Sequence, residues 1–423
     1  MKHRASAAAR EVMARLDELG RVSDEAHALT RLYLSPAHKA AVGLVGGWME
    51  QAGMSVHLDA AATLVGRWEG DAGPGAPTLL LGSHIDTVRD AGKYDGNLGV
   101  VAAIAAVDQL RKDGTRLPFA IEVLAFGDEE GARFPVTLTG SRAVAGTFDP
   151  RTLDAVDPDD VTLADALRRF GCDPARIAAA ARRPADGILG YVELHIEQGP
   201  VLEAEGLPVG VVSAINGASR FAVRVGGQAG HGGTVPMRLR RDALAAAAEM
   251  IVAVDGRARG TEDLVATVGI IDNRPGAANV ISAEASFTID IRHPDDAVRA
   301  DAIRAMDEDL HAIADRRLVR VALRRTYDAA AATCAPGLTA RLEAAVARQG
   351  VRPRRLPSGA GHDGLALVNL CPIAMLFVRC KGGISHNPAE SITREDAGVA
   401  LDVLVDFLRD LDPSSLAGAG LAA

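Results

Sequence analysis

The stretch "LLLGSHIDTVRDAGKYDGNLGVVAAI" (residues 79–104) joins two apolar runs through a polar junction. The first run ends with His84 and Asp86, and an isolated acid, Asp95, precedes the second run. Because alternate residues of a strand share one face, we expect the Asp86 carboxylate to orient the His84 imidazole. A surface turn for the first pair, and a helix-capping role for Asp95, are the alternatives that this stretch alone leaves open.

The segments around this junction predict a sheet covered by helices. The runs "TLLLGS" (78–83) and "FAIEVLAFG" (119–127) flank the helical pattern "NLGVVAAIAAVDQLRKDG" (97–114). Two further apolar runs, "GYVELHIEQGPVL" (190–202) and "LPVGVVSAI" (207–215), extend the pattern. Strands that alternate with helices are typical of α/β proteins with a largely parallel or mixed sheet.

The pattern changes after Asn216. Residues 217–328 predict the order β-α-β-β-α-β, which is typical of a compact ferredoxin-like α+β domain. The earlier pattern then resumes with the helix "LTARLEAAVARQG" (338–350) and the strand "IAMLFVR" (373–379). We therefore expect a discontinuous α/β main domain, residues 1–216 and 329–423, with a smaller domain inserted at 217–328.

Composition excludes several classes of protein. A chain of 423 residues favours two domains, and its net charge of −9 argues against binding to nucleic acid or to an anionic membrane. The start, "MKHRASAAAREVMARLDELG", lacks the apolar core of a signal peptide, and no apolar run is long enough to span a bilayer. Four cysteines without CxxC spacing indicate reduced thiols, so we expect a cytoplasmic protein.

Three further segments place titratable residues at the end of a predicted strand or within one. They are "GDEEGARF" (127–134), "ELHIEQGP" (193–200) and "GGISHNPAES" (382–391). Each alone is compatible with a structural role, but adjacent carboxylates at a strand end require a cation or a raised pKa. Together with residues 84–95, they offer histidines, a potential bridging aspartate and a glutamate, which suit a pair of divalent ions.

In combination, these segments resemble the M20 metallopeptidase superfamily. The resemblance is closest to its hydantoinase/carbamoylase amidase branch, which contains N-carbamoyl-L-amino acid hydrolases, allantoate amidohydrolases and β-ureidopropionases. It also rests on "GHGGTVPMRLRRDA" (230–243), "NVISAEASFTIDIRH" (279–293) and "SGAGHDG" (358–364). These motifs occur in the order of the family and extend from about residue 80 to about residue 390.

The resemblance implies a dinuclear metal centre in the main domain. His84, Asp95 and His195 would hold one ion, and Asp95, Glu130 and His386 the other, so that Asp95 bridges the two. The ligand set accepts Zn²⁺, Mn²⁺, Co²⁺ or Ni²⁺.

The resemblance also assigns roles to neighbours of these ligands. Glu129 would be the general base that takes a proton from the attacking water, and Asp86 would orient His84. A cis peptide bond is expected between Asp95 and Gly96.

For the substrate, the resemblance assigns residues of both domains. Asn279 and Arg292 would bind the substrate carboxylate, and Gln198 and Gly361 would contact the substrate. His231 would stabilise the developing oxyanion across the interface of a homodimer formed through the inserted domain, which would act as a lid and dimerisation domain. The substrate would be a small ureido or N-carbamoyl carboxylate, so the enzyme would hydrolyse C–N bonds other than peptide bonds.

Two other functions remain open. An M20 aminoacylase or peptidase is one, although "HIEQGP" (195–200) differs from the segment usual in those enzymes. An inactive metal-binding homologue is the other, against which stands the retention of Glu129, Glu130 and Arg292. Departures from the branch pattern, such as "HGGTVPM" (231–237) and "GHDG" (361–364), touch none of the expected ligands and leave the substrate open.

Overall fold

A computed structural model of the chain describes residues 7–69, 71, 73 and 75–415. The helices are α1 Ala7–Leu19, α2 Pro36–Gln51, α3 Asn97–Lys112, α4 Thr139–Ala145, α5 Leu163–Phe170, α6 Val201–Ala204, α7 Ala243–Arg259, α8 Asp296–Arg317, α9 Pro336–Arg348, α10 Gly364–Leu367 and α11 Arg394–Asp410. In the described part of the chain, no helix is both long and apolar enough to cross a membrane.

The strands complete the list of elements. They are β1 Ser55–Leu58, β2 Leu64–Trp68, β3 Thr78–His84, β4 Ala120–Phe126, β5 Ile188–Ile196, β6 Val209–Ile215, β7 Gly217–Gly226, β8 Gly230–His231, β9 Val265–Thr267, β10 Ile271–Arg274, β11 Val280–Ile281, β12 Glu284–His293, β13 Arg320–Ala329, β14 Ala332–Thr333, β15 Arg355–Ser358 and β16 Ile373–Val378.

The chain divides into two compact units. Unit 1 contains the residues up to Ser213, residues 333–356 and the residues from Gly361 onward. Unit 2 contains Ala214–Ala332 together with the short segment Pro357–Ala360, which the sequence pattern did not assign to the inserted domain.

Unit 1 is built on a mixed sheet whose strands follow the order β1-β2-β4-β3-β5-β16-β6. The four central strands, β4, β3, β5 and β16, are parallel, and their side chains are buried on both faces except at the start of β5. This pattern is expected of parallel strands with helices on both sides. Because the strands are parallel, their carboxyl ends lie at one edge of the sheet, where ligands bind in such folds.

Helices α1, α3, α9 and α11 pack with this sheet to form the main core of unit 1. Apolar residues spaced along α1, namely Val12, Leu16 and Leu19, are fully buried, as the spacing predicts. Helix α3 begins at Asn97 and is buried along almost its whole length. Its N-cap is Gly96, so Asp95 lies before the cap and does not serve as one.

Unit 2 has its own antiparallel sheet in the order β10-β12-β7-β13, with β9 paired to β12. This is the strand order of a ferredoxin-like β-α-β-β-α-β arrangement. Alternate residues of β12, from Ala285 to Ile291, are buried in a core that also contains residues of α7 and α8. Strand β12 carries Arg292 near its end, and the short pair β8–β11 carries His231 opposite Val280.

Candidate metal centre and substrate residues

Asp95 lies at the centre of a buried cluster at the carboxyl ends of β3 and β5. Its Oδ1 is 3.0 Å from His195 Nε2 and 3.6 Å from His84 Nε2, and all three side chains are almost fully buried. The Nδ1 atoms of both histidines face main-chain carbonyls, Asp86 O at 3.0 Å and Ile196 O at 2.9 Å. A carbonyl can only accept, so each Nδ1 carries a proton, and each Nε2 is left as the ring atom that faces Asp95 and can bind a metal ion.

A second cluster shares Asp95 through its other carboxylate oxygen. His386 Nε2 lies 3.3 Å from Asp95 Oδ2 and 3.5 Å from Glu130 Oε2. Glu130 follows β4, and His386 follows β16 in a loop where its side chain is half-exposed. The second cluster therefore faces solvent more than the first.

The donor atoms of both clusters fit divalent ions. Within each cluster the ligand atoms all lie within 4.8 Å of one another. An ion bound by nitrogen and oxygen at about 2.0–2.2 Å in tetrahedral geometry separates its ligands by roughly 3.3–3.6 Å. The separations of Asp95 from His386 and His84, 3.3 and 3.6 Å, lie in that range, and its separation from His195, 3.0 Å, is slightly shorter.

Glu129 stands beside these clusters as a different kind of group. Its Oε2 is 4.0 Å from His84 Nε2, and it belongs to neither of the two donor clusters built on Asp95. Its Oε1 lies 3.9 Å from the position that a Cβ would occupy on Gly361, a residue without a side chain in the way. The carboxylate of Glu129 thus lies next to the candidate ligands, as a positioned acid–base group would.

The Asp86 carboxylate does not make the expected hydrogen bond to the His84 imidazole. The carboxylate is 3.8 Å from His84 Nδ1, so the imidazole is oriented by the Asp86 main-chain carbonyl instead. The two carboxylate oxygens accept the main-chain N–H groups of Glu129 and Glu130, each at 3.3 Å. The physical reason is that β3 ends at His84, beyond which strand alternation no longer sets side-chain direction.

The junction between Asp95 and Gly96 also corrects an expectation. The expected cis bond is absent there, and among the described residues the cis bond lies at Arg274–Pro275. In the observed conformation Gly96 has a φ of 64°, and its N–H donates to His195 Nε2 at 3.2 Å. A side chain at Gly96 would collide with the His84 ring, whose nearest atom lies 2.4 Å from the Cβ position.

The imidazoles and carboxylates of the two clusters shift one another's pKa values in the directions that favour protons shared between them. Burial would raise the pKa of Asp95, but the imidazoles of His195, His386 and His84 hold it well below its usual range. The Asp95 carboxylate, in turn, raises the pKa of His386 to about 9. Burial, with Asp95 as the next cause, raises the pKa of Glu130 to about 7. A divalent cation would replace the shared protons.

Glu129 has a raised pKa for related reasons. Burial is the largest cause, and the neighbouring Glu130 carboxylate adds to it, while His84 opposes the shift. A carboxyl group whose pKa lies well above its usual range can carry a proton near neutral pH.

Two residues next to the clusters, Glu390 and His362, were not predicted from the sequence. Glu390 accepts the main-chain N–H groups of Tyr94 and Asp95 through Oε1, at 2.8 and 3.1 Å, and lies 3.0 Å from the Ser385 hydroxyl through Oε2. His362 is fully buried and packs edge-on against the ring of His195, with ring centroids 4.4 Å apart. Both lie inside motifs that carried the family resemblance, "GGISHNPAE" (382–390) and "SGAGHDG" (358–364), which was the available signal.

Gln198 lies against the second cluster. Its Nε2 donates to Asp95 Oδ2 at 2.8 Å and lies 3.4 Å from His386 Nε2. Gln198 and His386 both have left-handed backbone, with φ of 57° and 53°, as does Asp128 before Glu129, with φ of 69°. Such conformations are costly outside glycine and collect at functional sites.

The sequence-predicted residues of unit 2 form two separate groups. His231 and Asn279 are exposed and come together through the β8–β11 pair, where Gly232 N donates to Asn279 O at 2.7 Å. Within the described residues, no hydrogen bond or ion pair joins either of them to Arg292.

Arg292 is held by partners on its own unit. Its Nε and Nη2 donate to the carboxylate of Asp290 at 2.7 and 3.1 Å, and Nη1 donates to Gly359 O at 2.7 Å. A guanidinium has five N–H donors, so two remain for a further acceptor. Asp290 also accepts from Arg220 Nε at 2.7 Å, which leaves this group of three residues with a net positive charge.

Known proteins resemble this chain over most of its length. Residues 80–410 match the model of peptidase family M20/M25/M40. The chain is 43% identical to an N-carbamoyl-L-amino acid amidohydrolase of Geobacillus stearothermophilus, over 92% of this chain and 95% of that protein. It is 41% identical to an allantoate deiminase of Arabidopsis thaliana, over 94% of this chain and 81% of that protein.

Solved structures of related enzymes are similar to this chain over nearly its whole length. An amidase of the hydantoinase/carbamoylase family from Burkholderia multivorans superposes with a TM-score of 0.88 at 32% identity, covering 95% of this chain and 97% of the other. The aminopeptidase PepT of Bacillus cereus, with a TM-score of 0.65 at 16% identity over 97% and 99% of the two chains, is similar in fold.

Proposed function

The chain belongs to peptidase family M20/M25/M40, among the hydantoinase/carbamoylase amidases, and from this premise we propose that it is a metal-dependent amidohydrolase. The bond that it cleaves is the C–N bond of a small ureido or N-carbamoyl carboxylate, not a peptide bond. The observation that carries this proposal is the pair of donor clusters that share Asp95, with Glu129 beside them.

The residues of the metal centre follow from the two clusters. His84, Asp95 and His195 would hold one divalent ion, and Asp95, Glu130 and His386 the second. Zn²⁺ and Mn²⁺ are the ions we propose first, with Co²⁺ and Ni²⁺ as further candidates for the same donors. When bound, such ions supply Lewis-acid activation of water and of the substrate carbonyl.

The chain itself supplies proton transfer. Glu129 is the group placed to take a proton from the attacking water and to return it to the departing nitrogen. Its pKa, raised by burial, lets it hold the proton between the two steps. Asp86 fixes the main chain of Glu129 and thereby its carboxylate.

We propose that four residues recognise the substrate: Arg292, Asn279, Gln198 and Gly361. Arg292 offers its two remaining N–H donors to the substrate carboxylate, a geometry that suits bidentate binding. Asn279 would assist it. Gln198, next to the second metal cluster, and Gly361, next to Glu129, would contact the ureido group.

We further propose a homodimer formed through the domain inserted at 217–328, in which His231 serves the partner's site. The support is an edge of the unit 2 sheet that exposes apolar side chains. Val265 on β9, Ile271 on the edge strand β10 and Ile270 directly before β10 are 49–59% exposed. Edge strands with exposed apolar residues favour pairing with another chain.

We also propose that the protein lies in a reducing compartment, the cytoplasm. The support is its four unpaired cysteines, Cys172, Cys334, Cys371 and Cys380.

The dimer proposal has a direct test. Inactive His231→Ala subunits, mixed with inactive Glu129→Gln subunits, should regain part of the activity in hybrids isolated through two affinity tags. Each hybrid dimer contains one site with both residues intact. Isolated hybrids without turnover would show that His231 serves its own subunit.

The substrate itself is the finer question. The two relatives are almost equally similar to this chain, at 41% and 43% identity, so similarity does not choose between allantoate and N-carbamoyl-L-amino acids. Both substrates present a ureido group and a carboxylate.

A substrate panel decides the function. The metal-loaded enzyme is incubated with N-carbamoyl-L-amino acids, allantoate, ureidopropionate and N-acetyl amino acids, and ammonia and amino products are measured, with Glu129→Gln as control. We expect ammonia from at least one ureido substrate and none from the control. Turnover of N-acetyl amino acids alone would favour an aminoacylase, and no turnover at all would favour an inactive homologue.

A further inference from the structure

Arg31 is a fully buried cation that lies between two segments of the candidate metal centre. Its Nε donates to Ile85 O at 2.6 Å, and its Nη2 donates to Asn97 Oδ1 at 2.7 Å. Its Nη1 donates to Leu19 O, at the end of α1, and to Val22 O just after it, at 2.9 and 2.8 Å. Four of the five N–H donors are thus used, all on uncharged oxygens.

Two of these acceptors adjoin candidate metal ligands. Ile85 follows His84 directly, so its carbonyl fixes the main chain where β3 ends. Asn97 extends the other contact, because its Nδ2 donates to Asp95 O at 3.1 Å. The guanidinium and the Asn97 side chain together therefore join the main chain next to His84 to the main chain of Asp95.

The main chain of Arg31 strengthens the same connection. Arg31 N donates to Thr87 Oγ1 at 2.9 Å, and Thr87 N donates to Arg31 O at 3.0 Å. The segment that carries Arg31 is thereby paired with the segment that follows His84. Burial lowers the pKa of Arg31 to about 10, against the effect of Asp86 and Asp24, so the group stays charged at neutral pH.

We propose that Arg31 is a positioning residue for the metal centre, which sets the distance between the His84 and Asp95 segments before an ion binds. A buried cation without a carboxylate partner is costly, and such a group persists where its hydrogen bonds fix a required geometry. The planar fork of arginine holds acceptors on both sides at once, which the single ammonium of lysine does not. The inference rests on the proposed metal centre and adds a residue to it.

A purely structural role makes a different prediction. Through Leu19 and Val22, Arg31 also ties down the end of α1, so its loss would destabilise the fold in any case. Leu16 lies on α1 and is fully buried in the core of unit 1, and truncation of such a leucine also destabilises the fold. Leu16→Ala is therefore the matched control for lost stability without a changed ligand segment.

The experiment measures Zn²⁺ affinity of the metal-free full-length chain by competition with a fluorescent chelator, well below each variant's melting temperature. We expect Arg31→Lys and Asn97→Ala to bind Zn²⁺ about 10–100-fold and about 10-fold more weakly than the wild type, as is usual for changes behind metal ligands. Leu16→Ala should bind Zn²⁺ with an affinity within about threefold of the wild type, even if its melting temperature falls as much as that of Arg31→Lys.

The outcomes separate cleanly. The inference would be overturned if the wild type binds Zn²⁺ and if Asn97→Ala and Arg31→Lys bind it no more weakly than Leu16→Ala does. The proposed metal centre would then still stand. If Arg31→Lys does not fold, Asn97→Ala decides alone, since it removes the same connection at its other end. A wild type that binds no Zn²⁺ would overturn the metal centre and the inference together.

Discussion

Replacing Asp86 by asparagine separates two functions of this residue. The carboxylate accepts the N–H groups of Glu129 and Glu130, whereas the main-chain carbonyl accepts the His84 Nδ1–H, which no side-chain change removes. An asparagine keeps one acceptor oxygen and turns an NH₂ group towards the other N–H. One hydrogen bond to a charged group is lost, worth about 1.5–3 kcal/mol.

The consequences differ between catalysis and the two metal clusters. A loss of that size in the placement of Glu129 corresponds to about a 10–100-fold lower kcat at saturating metal. The ion held by His84 and His195 should keep its affinity. The ion held by Glu130 and His386 should bind about tenfold more weakly, because Glu130 loses its main-chain support.

Calorimetric metal titration, which yields two dissociation constants, and kcat on the best panel substrate measure these effects. Asp128→Asn is the matched control, because Asp128 is as buried as Asp86 and lies directly before Glu129, but its carboxylate accepts from the Thr139 hydroxyl. In the double variant with Glu129→Gln, the Asp86 substitution should cost almost no further activity. Equal weakening of both ions, or fully additive losses in kcat, would show that the carboxylate acts on His84 after all.

Three further results are expected. Glu129→Gln should keep its bound metal and lose at least about 100-fold in kcat, and loss of metal on elemental analysis would mean that it is a ligand. Arg292→Lys should raise KM at least about tenfold with unchanged metal content, since lysine cannot contact Asp290 and a carboxylate in the same plane; an unchanged KM would remove it from the clamp. His38 is buried, and burial, then Arg31 and Arg133, lowers its pKa to about 3. Below its unfolded pKa of about 6.5 the unfolded chain takes up a proton that the folded chain refuses, so folding stability should fall by about 3 kcal/mol between pH 7 and pH 4. Denaturant titrations at the two pH values should show that the folding stability of His38→Asn falls by about 3 kcal/mol less than that of the wild type. Equal losses of stability would contradict the lowered pKa of His38.

The ends of buried strands could be predicted from the sequence because apolar runs stop where polar residues begin. His84 and His195 lie at the ends of β3 and β5, Asp95 lies just before α3, and parallel strands bring their carboxyl ends to one edge of the sheet. The carboxylate direction of Asp86 could not be predicted, because it lies past the end of β3, where the alternation rule no longer holds.

Contacts between segments that are distant in the chain could not be predicted from the sequence either. Arg31 lies 54 positions from Ile85, and no spacing rule says which carbonyl a buried guanidinium will find. Glu390 likewise reaches the amides of Tyr94 and Asp95 from nearly 300 residues away. Such side chains are visible in the sequence, but their acceptors are decided by tertiary packing alone.

The most direct test of the central claim is the number of metal ions per chain in the wild type and in Asp95→Ala. Both proteins are loaded with Zn²⁺, freed of excess ion by gel filtration and measured by elemental analysis against protein concentration. Because Asp95 belongs to both clusters, we predict two ions per wild-type chain and a loss of both from the variant. A variant that retains two ions, or a wild type that holds fewer than two, would contradict a dinuclear centre bridged by Asp95.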